Sequence, residues 1–550
     1  MATRAAGFLR RYAGVLAIVS LALGAATVVQ TYGWNQTSHY ALIRSLDQGT
    51  PWIDRYRRTT GDKAHYKGHV YSARAPGTAF ASLPYYKALR ISGVTQHLKR
   101  FQHGKNDEAI WLLGLWAALL PAIATMLLVR WMGNRLEPGY GTAAALALGA
   151  GTLFLPYGTM LFSHVFSAFL GFAAFALLWR ERERDGPDRL WVYAVAGLII
   201  GYAITTEYPL LFVGIILGLY AITRGHAVKR GLVYAGGVAV GVVPLALFDK
   251  WAYGSFTHVA YADIPKNQGG FFGIRLPSPV VAVELLFDSR GLLLLAPVLI
   301  MGIVGTVLLY RRGGRAEALV IAAVGVAYLA YNSGYYLPFG GQTPGPRFLI
   351  TTLPFLALPL ALSFKRFPIP TLALAAASVA CMSIATLGTP LVSAEGDTGT
   401  WMHLIEQNYF QASVVTLATG IDGWAAFIPF YVLVAGAGVL AWMATPRGSA
   451  SWRALATGAA VVGTWGLIAI FAPRVLGIDH AAEERIVAAG DPSAVHEKYG
   501  SHPISHVVFV ALGLTLITLA AAALLSRRDR PEKPARADPA EGQPAPASVA

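Results

Sequence analysis

One stretch of the chain, residues 54–90, gathers side chains able to do polar chemistry. It runs from Asp54-Arg55-Tyr56-Arg57-Arg58 through Asp62-Lys63, His69, Tyr71 and Arg74 to Pro76-Gly77, Tyr85-Tyr86 and Arg90. It is strongly basic and aromatic and carries carboxylates, in a sequence that is otherwise mostly hydrocarbon. A second basic position stands apart, Arg347 at the end of Gly340-Gly341-Gln342-Thr343-Pro344-Gly345-Pro346-Arg347. It opens an expected helix, where a cation opposes the macrodipole and so needs a partner. An anionic ligand held jointly by the guanidinium and free backbone N–H groups would be such a partner.

The elements that must position these groups are set by composition. The chain has 550 residues, is 55% hydrophobic and 13% charged, and has a mean hydropathy of +0.50. A soluble domain carries roughly a quarter charged residues. Apolar runs of about 20 residues, enough to cross a bilayer as a helix, recur from end to end. Lipid offers no partner for open backbone groups, so the fold class expected is an all-α polytopic membrane protein. The short alternating strands of a transmembrane barrel are missing from the pattern. The formal net charge of +15 fits positive-inside topology and anionic headgroups. Nucleic-acid binding is not expected, because the basic residues fall in short loops between spans. The single cysteine, Cys381, lies in an apolar run, which rules out an intramolecular disulfide and a cysteine-based metal motif.

The pattern predicts about fourteen transmembrane helices. Arg4, Arg10 and Arg11 precede an apolar run to Gln30, read as an uncleaved first helix with a cytoplasmic N-terminus rather than a signal peptide. Residues 1–32 hold that helix. Residues 33–108 form a long first extracytoplasmic loop with juxtamembrane helices. Residues 109–526 form the multi-helix domain, with spans near 109–131, 139–156, 159–179, 190–206, 208–223, 231–249, 289–310, 316–333, 347–364, 368–388, 423–445, 453–472 and 504–526. The tail, 527–550, is Pro-rich and polar and reads as disordered and cytoplasmic. Alternate loops carry Lys or Arg, among them Arg130 to Arg135, Arg180 to Arg189, Arg224 to Arg230, Arg311 to Arg315 and Lys365-Arg366, which places them in the cytoplasm. His164, Glu207, Asp249-Lys250, Asp288, Arg290 and Arg347 then share the outer side with residues 54–90. Ionisable groups at membrane depth are costly, which makes these candidates for function. Each also has a plainer reading. His164 fits a hydrogen-bonded core histidine, Asp288 and Arg290 fit a mutual interface pair, and the basic residues of 87–105 fit headgroup contacts. The late outward stretch 473–503, with His480, Glu483 and Glu484, is either a cap or a loop. High Ala, Gly, Arg and Val usage is that of a GC-rich bacterial genome, and multi-pass placement in the plasma (inner) membrane is the expected localisation.

The order of these parts resembles the polyprenyl-phosphate-sugar-dependent glycosyltransferases of the C superfamily, whose relatives include protein O-mannosyltransferases and the aminoarabinose transferases that modify lipid A. The stretch from Ser38 to Gly49 is similar to the family's first amphipathic juxtamembrane helix. Tyr71-Ser72-Ala73-Arg74-Ala75-Pro76 is similar to its Tyr-Phe-x-Lys-Pro-Pro segment, whose basic residue lies near the donor phosphate. Gly345-Pro346-Arg347 through Pro354 looks like the Arg-Tyr-x-x-Pro-x-x-Pro opening of a later helix. The resemblance covers about the first 365 residues. One departure stands out. The better-known members carry an Asp-Glu pair just after the first helix, with the aspartate as base, and here that place reads Trp34-Asn35-Gln36-Thr37.

The resemblance implies an integral membrane enzyme that moves a sugar from a polyprenyl-phosphate donor to an acceptor hydroxyl outside the cytoplasm. Such transfer needs a base for the hydroxyl proton and cations for the leaving phosphate. With the usual pair missing, Asp54 is the first choice of base and Asp62 the second; Asp47 lies in the expected helix and reads as a solvated face. Arg74, Lys63 and Arg347 are the expected phosphate clamps. Tyr71, His69, His164 and Glu207 are expected around the substrate. The partners implied are the lipid-phosphate donor, a glycan, lipid or protein acceptor, and membrane lipid. No cofactor is required and no dedicated metal motif is present, although a divalent cation stays compatible with the chemistry. The alternative reading is a transporter or flippase for a lipid-linked or anionic solute, for which matching halves with broken helices would be expected. A non-catalytic membrane scaffold accounts for the hydrophobicity but not for the elaborate outer segment.

Overall fold

The computed structural model describes residues 2–97, 108–264, 272–391, 398–446, 451–476 and 504–528. The stretch 477–503, with His480, Glu483 and Glu484, and the tail beyond Arg528 lie outside the described residues. Within them, eight helices are long and apolar enough to cross a membrane, or up to ten if each of two bent pairs is one span. Four shorter apolar helices accompany them, Tyr12–Ala26, Gly141–Gly151, Leu190–Thr206 and Leu210–Ile222. Two segments expected as straight helices are broken. Pro279–Leu295 turns by 91° before Val298–Arg311, and Arg347–Ala357 turns by 54° before Leu360–Arg366. Pro297 and Pro359 sit at these two breaks, where a missing N–H removes a helical hydrogen bond.

The two ends of the bundle have different chemistry. At one end the basic loops are tied together by acids. Glu137 accepts from Arg312 Nη1 at 2.8 Å and Lys365 Nζ at 2.7 Å, and burial opposed by these two cations leaves its carboxyl below the usual range. Arg135 pairs with Glu183 at 3.2 Å, and Arg230 with Asp188 at 2.5 Å. The outer segment gathers at the opposite end. Its position starts from the first helix, where Ser20 Oγ donates to the Leu433 carbonyl at 2.7 Å. The two-residue strand Val28–Val29 then pairs antiparallel with Ala412–Ser413. Gln30 Nε2 donates to the Thr386 carbonyl at 3.0 Å and to Thr159 Oγ1 at 3.1 Å. The chain therefore leaves the bundle at a fixed point.

From there it forms the helix Trp34–Asp47, a turn of 3-10 helix at Asp54–Tyr56, an antiparallel hairpin, and the helix Gly77–Ile91. The hairpin pairs Lys63–Tyr66 with His69–Ser72. Lys67 and Gly68 turn it with φ of 46° and 84°, the left-handed pair that a two-residue turn requires. These elements share a small apolar core of their own, built by Leu42, Ile53, Val70 and Tyr86 with Leu161 and Phe248 of the bundle. Three hydrogen bonds pin the segment down: Tyr71 Oη to the Ala252 carbonyl at 2.9 Å, Tyr202 Oη to the Gly77 carbonyl at 2.9 Å, and Trp116 Nε1 to the Ala81 carbonyl at 3.0 Å.

Two close approaches set the depth of the outer segment. Helices Leu190–Thr206 and Ala227–Tyr253 cross on glycine, since a Cβ at Gly201 would lie 2.3 Å from the Val238 carbonyl oxygen and 2.7 Å from Gly241 Cα. Small residues let helix backbones meet in this way. At the top of the same helix, a Cβ at Gly77 would stand 2.7 Å from both the carbonyl carbon and oxygen of Thr205 and from the Thr206 nitrogen. Gly77→Val must therefore lift the outer segment away from Glu207. Forced overpacking costs about 1–3 kcal/mol, so thermal unfolding in detergent should show a clear loss. Gly236→Ala, with nothing within 4 Å, should unfold at or slightly above the wild-type temperature.

Candidate active site

The centre of the outer segment is Arg74. Its backbone is placed by a serine ladder, in which Arg74 N donates to Ser72 Oγ at 3.2 Å, Ser72 Oγ meets Ser38 Oγ at 2.8 Å, and Ser38 Oγ donates to the Asp62 carbonyl at 2.6 Å. Its guanidinium pairs with Asp62 through Nη2. With the Asn35 amide turned so that its oxygen faces the guanidinium, Nη1 and Nε each lie 3.2 Å from that oxygen. Burial works against the Arg74 charge, and Asp62 more than offsets it, so the group is held above its ordinary range. Asn35 lies in the stretch 34–37, where the resemblance leads one to expect a carboxylate. An amide oxygen there holds the arginine without neutralising it.

His39 sits one helical turn beyond Asn35 and is fully buried. Among the described residues neither of its ring nitrogens has a hydrogen-bond partner. Burial, then the Arg74 charge, push its pKa down to about 3, so the ring is neutral at any physiological pH. Asp62, Glu207 and His164 also act on it electrostatically, which brings the loop cluster and the bundle cluster together.

The bundle cluster is built on Glu207, at the C-terminal end of Leu190–Thr206. Ser163 Oγ donates to its Oε1 at 2.6 Å and Ser167 Oγ to its Oε2 at 3.2 Å, while His164 Nδ1 packs against Oε1. The His164 ring is walled by Tyr157, Phe162 and Phe348, with centroids 5.6, 5.8 and 5.6 Å away. His164 is thus both a packed core histidine and a partner of a partly buried carboxylate. Arg347 lies over the same aromatic wall, 5.6 Å from the Phe162 ring and 5.3 Å from Phe348. It is only 6% exposed. Among the described residues it has no carboxylate within 4 Å, and its Nε lacks a hydrogen-bond partner. It begins a 3-10 turn, Arg347–Thr352, rather than the straight helix expected there.

The other expected site residues face elsewhere. Asp54 Oδ1 accepts from Val70 N at 2.6 Å, and its Oδ2 lies 2.6 Å from His69 Nδ1. Trp52 stacks on His69 at 4.3 Å. Asp54 and His69 therefore brace the hairpin, at side-chain exposures of 36% and 42%. Lys63 turns outward and donates to the Arg57 carbonyl at 3.0 Å. The Tyr71 hydroxyl is occupied by Ala252, and burial raises its pKa. Arg290 donates to the Thr343 carbonyl at 3.3 Å. Sequence reasoning missed His39, the Asn35 contact and a tyrosine wall. Tyr261, on the short turn Ala260–Asp263, feels Arg74, Asp62, Glu207 and Arg347 after burial. Tyr336 stands beside Tyr335 at 4.7 Å and is pushed up to about 12 by burial and then Tyr261. The run Tyr331, Tyr335, Tyr336 was the available signal. Among the described residues no group of three or more His, Cys, Asp or Glu side chains could hold a metal ion.

Residues 101–331, which include His164 and Glu207, match the model of glycosyltransferase family 87. No curated protein sequence matches the chain. Among solved structures it is similar to ArnT from Cupriavidus metallidurans bound to undecaprenyl phosphate, at 16% identity and TM-score 0.45, covering 95% of this chain and 78% of that one. The apo ArnT structure gives 15% identity and TM-score 0.48, over 85% and 80%. The archaeal oligosaccharyltransferase AglB from Archaeoglobus fulgidus, in complex with an inhibitory peptide and a dolichol-phosphate, gives 13% and 0.42, over 90% and 60%. At these scores the likeness lends no role to any residue of this chain. The match, over part of the chain, makes the protein a glycosyltransferase, and the eight to ten apolar helices among the described residues make it a multi-pass membrane protein.

Proposed function

We propose that the protein transfers a sugar from a polyprenyl-phosphate donor to a hydroxyl of an extracytoplasmic glycan, lipid or protein acceptor. The observation that carries this reading is Arg347, a buried guanidinium with no carboxylate partner among the described residues, in the same cluster as the partly buried Glu207 and the buried His164 and within electrostatic reach of the tyrosine wall that also feels Arg74. A buried charge is expensive unless paired, and a lipid phosphate would pair it. In this scheme the four shorter apolar helices also cross, giving about fourteen spans in the plasma membrane, with both termini cytoplasmic.

The reaction follows from the placement. The acceptor oxygen bonds to the anomeric carbon as the bond from that carbon to the phosphate oxygen breaks, and the electron pair leaves with the lipid phosphate. Arg347 and Arg74 stabilise the charge that grows there. The hydroxyl proton passes to a carboxylate. We assign this role to Asp62, which meets the Arg74 guanidinium, and give Asp54 the part of bracing the hairpin through Val70 and His69. Tyr261 and Tyr336 offer rings and hydroxyls to the sugar. The scheme asks for no metal, because guanidinium groups meet the phosphate charge. The bent segments at 279–311 and 347–366 are the feature a flippase reading would use, and turnover separates the two readings.

Labelled sugar transfer by purified protein, with a polyprenyl-phosphate donor and a host-membrane acceptor pool, tests this. Asp62→Asn should cut turnover by about 10²–10⁴-fold, the usual contribution of a general base, with donor binding retained and with a lower unfolding temperature from loss of the Arg74 pair. Asp54→Asn should lose far less turnover and show a lower unfolding temperature. Equal loss in both, or loss only in Asp54→Asn, would overturn the assignment. Donor binding without turnover in any acceptor pool would favour the flippase.

A pH prediction follows from His39. Its folded pKa of about 3 lies below the ordinary 6.5, so the unfolded chain takes up a proton that the folded one refuses. Stability from this site is intact above about pH 6.5 and is lost as pH falls toward 3. Between pH 7.5 and 5 the loss is about 2 kcal/mol by linkage. The unfolding temperature of the wild type should drop over that range, and that of His39→Leu should drop less.

A further inference from the structure

A second opening lies immediately outside the Asp62–Arg74 pair. It is an open groove of about 420 Å³, lined by Trp34, Arg57, Arg58 and Lys63 together with backbone and side chains of Thr59, Thr60 and Gly61. This falls within the size range of small-ligand sites. Its walls are basic and no acidic side chain lines it. Among the described residues none of Arg57, Arg58 and Lys63 has a carboxylate within 4 Å, and both arginines are exposed. Trp34 is 69% exposed, yet its ring is held in place. A Cβ at Gly61 would lie 2.5 Å from the indole, and Thr60 Oγ1 donates to the Trp34 carbonyl at 2.8 Å. One indole face is thus backed by the chain and the other is open, the arrangement that lets an apolar sugar face lie flat on a ring.

The groove is joined to the site by two covalent steps. Trp34 precedes Asn35, which faces Arg74, and Lys63 follows Asp62, which pairs with Arg74. Successive side chains of an extended chain point to opposite faces, so Asp62 turns in while Lys63 turns out. A molecule lying on Trp34 and reaching past Gly61 would bring a hydroxyl toward the Asp62 carboxylate. The inner arginines, Arg74 and Arg347, are already assigned to the donor phosphate, so the outer three cations are left for the other substrate. We propose that this groove docks the acceptor, and that the acceptor is an anionic glycan headgroup, lipid-borne or soluble, whose sugar ring lies on Trp34 and whose negative group meets Arg57, Arg58 and Lys63. This rests on the transferase reading above and specifies its acceptor.

The test uses the full-length protein, labelled polyprenyl-phosphate sugar and a host-membrane extract. The extract is split by anion exchange into neutral and acidic fractions, and each is split again between organic and aqueous phases. Transfer is expected into the acidic fraction alone. Recovery in the organic phase would make the acceptor a lipid and recovery in the aqueous phase a soluble glycan, both within the proposal. The Arg57→Gln, Arg58→Gln double variant should raise the half-saturating amount of that fraction about tenfold or more, the size of one lost charge-assisted contact or better, with half-saturation by donor changed less than twofold. Trp34→Ala should do the same, and Trp34→Phe should restore most of the loss. Transfer into the neutral fraction, transfer into protein, or an effect of these variants on the donor alone would overturn the proposal while leaving a transferase. Lack of transfer and of donor binding by the wild type would instead overturn the transferase reading itself.

Discussion

The arrangement depends on one ion pair, Arg74 with Asp62. Two positive groups, the partly buried Arg74 and the buried Arg347, lie in a molecule with little charge to spare. Only Arg74 has a carboxylate partner among the described residues. Charge removed from water must be matched or it destabilises the fold. Asp62 provides that match for the loop arginine, and Asn35 adds an acceptor without adding charge. Burial first, and the Arg74 charge second, keep His39 neutral. A carboxylate at position 35 would have opposed the Arg74 charge that Asn35 leaves in place.

The pair can only work if the loop is rigid and docked, and the chain provides both. The hairpin, the helix Trp34–Asp47 and the helix Gly77–Ile91 share a second apolar core, to which Leu161 and Phe248 of the bundle also contribute. Tyr71, Gly77 and Ala81 fasten it to helix ends through single hydrogen bonds. The approach of Gly77 to Thr205 sets the loop against the turn that carries Glu207. Asp54, His69 and Trp52 brace the hairpin from outside. A site preorganised in this way spends little free energy on ordering when substrate arrives.

Much of this was legible in the residues. The helical membrane class followed from hydropathy, and the two ends of the bundle followed from the Arg and Lys pattern, because bilayer thickness and headgroup charge act on sequence directly. The convergence of His164, Glu207 and Arg347 with the outer segment was visible from topology alone. Finer geometry was not. The breaks at 279–311 and 347–366 come from prolines inside apolar runs, which hydropathy averages away. Asp54 and Asp62 look alike in sequence, and only the fold shows that one faces His69 and Val70 while the other faces Arg74. Asn35 read as an absence, and its contact with Arg74 emerges only when residues 35 and 74 are brought together. Tyr261 and Tyr336 could not be told from interfacial aromatics, since their burial depends on packing between segments far apart in the chain.

The central claim is that Arg74 from the loop and Arg347 from the bundle serve one ligand. A double-variant cycle on binding of polyprenyl phosphate, comparing wild type, Arg74→Gln, Arg347→Gln and the double variant, tests it most directly. Groups that share one network couple by about 0.5–3 kcal/mol, whereas independent sites add within about 0.3–0.5 kcal/mol. The account predicts that each single variant weakens binding and that the double variant departs from their sum by about 1 kcal/mol or more. Additive losses, or binding that survives the double variant, would contradict it.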